Sequence, residues 1–131
     1  MDSLIIEKNL QLLKAIVSGD YDTYSKLCSQ DITCFEPETQ GHLTKGQAFH
    51  RYYFDLPTDL PTSVSTHKNV SMSGTHVKWL GEKAAVVSYN RLDQVLTDDG
   101  PITKVTSETR VWELCEIDGR NVWQNVHFHR S

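Results

Sequence analysis

The run at residues 122–130 (VWQNVHFHR), with 108–112 (ETRVW) ahead of it, constrains this chain more than any other feature. Both runs alternate like strands. Residues two apart on a strand share a face. The alternation therefore sends Val126, Phe128 and Arg130 one way, and Trp123, Asn125, His127 and His129 the other. Asp118 and Gly119 between the runs read as a tight turn. A strand that ends in arginine on its apolar face must find that cation a partner, inside the chain or outside it.

With 131 residues, 38% apolar and 23% charged, the chain suits one soluble domain over 1–131 with a modest core. A net charge of −4 speaks against a nucleic-acid surface as its main business. No apolar run is long enough to span a bilayer, so no membrane partner is expected. Met1, Asp2 and Ser3 open into an acidic helical pattern rather than a signal peptide, which points to the cytoplasm. The cysteines, Cys28, Cys34 and Cys115, are odd in number and lack metal-ligand spacing. They read as reduced, buried thiols, with no metal site and no cofactor.

Helical signals come first. Ile6, Leu10, Leu13 and Val17 recur at helical spacing over 4–17, and Ile5, Leu12 and Ile16 widen the stripe. Asp2 or Ser3 is placed to cap this helix, and Gly19 to end it. A short second helix is expected over 20–28, a strand over 32–35, and a loop over 41–46. The third helix, 47–56, is crowded with Phe49, Tyr52, Tyr53 and Phe54, and carries His50 among them. The spacing predicts contact on more than one side, with His50 a satisfied, half-buried imidazole. A proline-bearing loop follows over 57–65. Strands are then expected over 64–72 and 76–80, interrupted at Ser73 and Gly74, and over 84–96, 102–116 and the final run. Helices first and a hairpin-linked antiparallel meander after them make an α+β fold. The long first helix and long strands suggest a cone with a cavity at its open end.

The strand faces single out three arginines. Arg91 shares a face with Val87 and Tyr89, Arg110 with Glu108, Trp112 and Leu114, and Arg130 with Val126 and Phe128. If registers agree, these guanidiniums converge. Like charges in a half-dry pocket repel unless something answers them. Glu108 or Glu36 can do so from within the chain, and so can an anionic ligand fitted to the guanidinium fork. Ordinary salt bridges at the rim of the cone are the other reading of the same spacing.

Residues 46–55 (GQAFHRYYFD), 107–112 (SETRVW) and 126–131 (VHFHRS) resemble the association, or hub, domain of calcium/calmodulin-dependent protein kinase II. So do 35–38 (FEPE) followed by Gly41, 17–21 (VSGDY) and 24–28 (YSKLC). The resemblance covers nearly the whole chain. It implies an NTF2-like fold, with a long helix cradled by a strongly curved antiparallel sheet around a deep pocket. It implies self-assembly into a homo-oligomeric double ring, as closed symmetry favours, and mixing with the hub of a full-length kinase as a further partnership. It also implies a pocket that accepts small carboxylates or acidic peptide groups, lined here by His50, Arg91, Arg110 and Arg130, with Glu36 and Glu108 as candidate carboxylates.

The chain departs from the family in places. It reads either as an excised domain or, from its Met-Asp-Ser start, as a free-standing hub-like protein. Residues 56–61 (LPTDLP) stand where the family carries a tryptophan near the pocket mouth. Asn125 stands where the family favours an aliphatic residue, on the face opposite Arg130.

The resemblance makes the chain an oligomerisation scaffold rather than an enzyme. NTF2-like cones also house isomerases and dehydratases. In that alternative, His50 would be a base oriented by Glu36 or Glu108. Arginines hold nearby carboxylates ionised and leave poor bases at neutral pH. A small-anion sensor differs from the scaffold only in whether ligand binding changes assembly.

Overall fold

Helix α1, Asp2–Ser18, turns one face inward through Ile5, Asn9, Leu12, Leu13 and Ala15. The stripe is thus rotated from the one expected, and Ile6, Leu10 and Val17 are only half-buried on its flanks. The reason is Asn9. Its Oδ1 accepts the indole N–H of the fully buried Trp112 at 3.0 Å, so a polar residue takes the centre of the face and leaves no buried donor orphaned. Asp2 does not cap the helix, and Met1 at the N-cap makes no side-chain cap. Asp2 Oδ1 instead accepts the Trp79 indole N–H at 2.7 Å. At the other end Gly19 adopts the left-handed φ of 73°, which suits a residue without a Cβ.

This computed structural model describes residues 1–55 and 68–131, without the side chains of Tyr53 and Asp55. The expected end of the third helix at Leu56, the loop over 57–65, its segment 56–61 and the strand start at Val64 lie outside the described residues.

Helix α2, Tyr21–Leu27, is capped by Asp20, which accepts from the Thr23 backbone N–H at 3.1 Å. Strand β1, Cys28–Phe35, follows, then a single 3-10 turn, Pro37–Thr39. A two-residue strand β2, Thr44–Lys45, sits in the stretch read as loop, and helix α3 spans Gln47–Asp55. The meander comprises β3 (Lys68–Trp79), β4 (Ala84–Thr97), β5 (Gly100–Ile117) and β6 (Arg120–Arg130). The break expected at Ser73 and Gly74 is a bulge inside one strand, with the register shifting between Ser73 and His76. Asp118 and Gly119 both take positive φ, 51° and 77°, as a two-residue hairpin turn between twisted strands requires.

The six-stranded sheet runs β2-β1-β6-β5-β4-β3. The meander is antiparallel as expected, but β1 joins β6 in parallel, so the curved, open sheet is mixed. Helix α1 packs on β3 and α2. The core gathers Ile5, Leu12, Leu13, Tyr24, Ile32, Val87, Trp112 and Phe128. Cys28 and Cys34 are buried free thiols, while Cys115 is only half-buried.

Strand β6 does not alternate along its whole length. Trp112 pairs with Asn125 and Val111 with His127, which leaves Val126 as an extra residue. This bulge corrects the facing inferred from alternation. Asn125 is fully buried and shares the inner side with Phe128 and Arg130 rather than opposing them. The Asn125 amide donates to the Val111 and His127 carbonyls, at 2.9 Å each, and so repairs the ladder that the bulge interrupts.

Leu13→Ala should lower the unfolding free energy by about 2–5 kcal/mol, the usual cost of truncating a buried leucine. Leu43→Ala, at an exposed position, should change it by less than about 0.5 kcal/mol. Urea denaturation of the two variants beside the parent measures the difference.

Candidate functional site: an arginine-lined cavity

Register brings the expected cations together. Tyr89 stands opposite Glu108, and Val87 opposite Arg110, across β4 and β5. Arg110 faces Phe128, and Glu108 faces Arg130, across β5 and β6. Arg91, Arg110 and Arg130 thereby line one cavity of about 320 Å³ with His50, Glu36, Glu38, Asp93 and Lys104. Tyr24, Phe54 and Phe128 form its apolar wall.

Glu108 is the hub of the buried charges. Its Oε1 accepts from the Tyr89 hydroxyl at 2.6 Å and from Arg110 Nε at 2.9 Å, and its Oε2 accepts from Arg91 Nη1 at 3.1 Å. Burial alone would raise the Glu108 carboxyl, but Arg110, Arg91 and the Tyr89 hydroxyl outweigh it and hold the group down at about 2. Burial, partly offset by Arg110, pushes the Tyr89 phenol up to about 12, so Tyr89 remains a donor. Arg110 is 1% exposed. Its Nη1 donates to Asn125 Oδ1 at 2.9 Å, and its guanidinium lies 4.2 Å from the centre of the Phe128 ring, where the ring face attracts a cation.

Arg91 also meets Asp93, with Nε at 3.1 Å from Oδ1 and 3.0 Å from Oδ2. Arg130 turns to the 3-10 turn. Its Nη2 donates to both Glu38 oxygens at 2.6 Å and lies 3.4 Å from Glu36 Oε2. Each arginine thus lines the cavity and is answered from within the chain.

His50 is more buried than expected, at 8% exposure, and not fully satisfied. Its Nε2 stands 3.4 Å from Cys34 Sγ and 3.6 Å from Glu36 Oε1, while its Nδ1 is buried without a hydrogen-bond partner. Among the described residues, Cys34, Glu36 and His50 each bring one potential ligand atom within 4.8 Å of the others. Burial pushes the Cys34 thiol up to about 11, and Arg130 already holds the other Glu36 oxygen. Both features favour hydrogen bonding over a cation cage. Glu36 is therefore the carboxylate beside His50, while Glu108 belongs to the arginines.

Asn125, Tyr89, Glu38 and Asp93 were not among the site residues expected from the sequence. Asp93 shares the face of Arg91 at two-residue spacing, a signal open to reading. Glu38 lies in the FEPE run, one residue beyond a proline turn, where no periodicity points inward.

Residues 4–131 match the calcium/calmodulin dependent protein kinase II association domain. The chain belongs to that association-domain family. It is 42% identical over 128 residues to the calcium/calmodulin-dependent protein kinase type II alpha chain of Drosophila melanogaster, covering 97% of this chain but 23% of that protein. The domain therefore corresponds to about a quarter of the length of such curated relatives. A CaMKII hub homology domain from Chlamydomonas reinhardtii superposes with a TM-score of 0.85 at 43% identity, over 97% of this chain and 94% of that one. The association domain of C. elegans CaMKII gives 0.83 at 38%, over 99% and 94%. More distant NTF2-like structures share the fold alone, among them a putative ketosteroid isomerase from Shewanella frigidimarina at 18% identity and TM-score 0.66. The matched family is the association part of a kinase, so no enzyme is indicated. Among the described residues, no helix is long and apolar enough to cross a membrane.

Because the Glu108 carboxyl sits below its usual 4.5 in the folded domain, its contribution is fully present above that value and is lost as pH falls from there through about 2. Glu108→Gln should cost about 3–5 kcal/mol at neutral pH by orphaning buried guanidiniums. It should also remove part of the acid-side loss of stability. Urea midpoints at neutral pH and near pH 3, for parent and variant, measure both effects.

Proposed function

We propose that this chain is a self-assembling scaffold that closes into a double-ring hub, with a pocket for small carboxylates on its inner face. Assembly is carried by the family match over residues 4–131. Leu96, Ile102, Val105 and Ile117 on β4 and β5, with Leu80 and Tyr52, are large apolar side chains exposed on a single chain and available for burial on assembly. The hub of a full-length kinase, built on the same domain, is the natural second partner for mixed rings. A cytoplasmic setting fits such partnerships.

The pocket assignment rests on the convergence of Arg91, Arg110 and Arg130 with His50 on one cavity. Guanidinium donors suit a carboxylate geometrically, and the apolar wall of Tyr24, Phe54 and Phe128 suits a short aliphatic chain. Glu36 and Glu108 hold the cations in place rather than acting as bases.

Native mass spectrometry of the purified chain at low micromolar concentration tests the scaffold. Large, narrowly distributed, even-numbered assemblies are expected, and a monomer or plain dimer would overturn the proposal. For the pocket, Arg130→Ala should melt within a few degrees of the parent yet bind propionate at least about tenfold more weakly by calorimetry. Equal affinity would remove Arg130 from the site.

A further inference from the structure

The cavity is already charge-balanced. Its lining cations are Arg91, Lys104, Arg110 and Arg130. Its lining carboxylates are Glu36, Glu38 and Asp93, and Glu108 lies beneath them, bonded to Arg91 and Arg110. An incoming anion would add an uncompensated charge to a half-dry site, which is costly. It enters without that cost only by taking the place of a carboxylate already there.

The four carboxylates differ sharply in how readily they could leave. Side-chain exposure is 0% for Glu108, 8% for Glu36, 24% for Asp93 and 40% for Glu38. Glu108 and Glu36 each serve more than one partner in the interior. Glu38 sits on the three-residue turn Pro37–Thr39. Both its oxygens crowd one nitrogen of Arg130, rather than engaging the guanidinium as a two-nitrogen fork, the geometry carboxylates prefer. Burial would raise the Glu38 carboxyl, but the hydrogen bond and charge of Arg130, with a backbone hydrogen bond and the Lys104 charge, together outweigh it, so at neutral pH the group is an anion.

We infer that Glu38 is a resident surrogate ligand, a propionate-like side chain that occupies Arg130 and that a short aliphatic monocarboxylate displaces. The inference rests on the pocket assignment above and adds its selectivity device. A ligand earns affinity only by the margin with which it out-competes Glu38, through the unused face of the Arg130 fork and the apolar wall. Once displaced, Glu38 swings toward the solvent that it already partly meets.

The test is calorimetric titration of propionate into the parent, Glu38→Gln, Glu38→Ala and Glu7→Gln at fixed ionic strength. Glu7 is an exposed residue of α1 and controls for net charge. Both Glu38 variants should bind at least about threefold more tightly than the parent, and Glu7→Gln should match the parent. Binding seen only in the Glu38 variants supports the inference in its strongest form. If the parent binds and neither Glu38 variant binds more tightly, Glu38 is not a competitor, while the pocket assignment stands. An equal gain in Glu7→Gln would trace the effect to net charge and overturn the inference. If no protein binds, the pocket assignment falls and the inference with it.

Discussion

A single carboxylate makes the inner face of this domain possible. Without Glu108, Arg91 and Arg110 would stand as like charges among Trp112, Tyr89 and Phe128, where the medium screens little. With it, two guanidiniums and a phenol share one anion, and the strands carrying them are fixed in register. Glu108 and Arg110 lie two apart on β5, and Tyr89 lies directly across on β4. The charge network and the sheet register therefore specify each other. A slip of one residue between β4 and β5 would turn the inward side chains of one strand to the outer face, separating Tyr89 and Arg91 from Glu108 and Arg110 and dismantling the cluster.

Asn125 extends that network to β6. An aliphatic residue there would leave Arg110 Nη1 and two backbone carbonyls without the bonds they now make. The amide is thus matched to a buried cation and to the bulge at once. Asn9 plays the same kind of part under Trp112. In both places a short amide answers a donor from a larger side chain, one joining α1 to β5 across layers and the other joining β5 to β6 within the sheet.

Much of this was legible in the strands. Alternation alone placed Arg91 beside Tyr89 and Arg110 beside Glu108, and the position of His50 in an aromatic helix marked it out. The end of α1 at Gly19 and the hairpin at Asp118 and Gly119 followed from glycine and acidic signals. What stayed hidden has physical reasons. The bulge at Val126 carries no glycine or proline. Counting back from Arg130 therefore places Phe128 correctly and Val126 wrongly, while counting forward from Trp123 places Asn125 correctly and Phe128 wrongly. The parallel docking of β1 on β6 is a long-range event, and the polar start of β1 gives no alternation to follow. Asn9 carried no signal in the sequence because its partner lies 103 positions away. Glu38 belongs to a turn, where side-chain direction follows from backbone geometry rather than from period.

The extra residue in β6 has a consequence for how this strand can change length. It divides the strand into two segments out of phase with one another, one ending at Asn125 and one beginning at His127. Loss of Val126 itself would restore an unbroken two-residue beat and leave every other inward side chain inward. Loss of Gln124 would also bring Trp123 and Phe128 into phase, but it would turn Asn125 outward and Val126 inward. Only loss of Val126, the residue with no partner across β5, or of His127 beside it keeps Asn125, Phe128 and Arg130 together on the inner side.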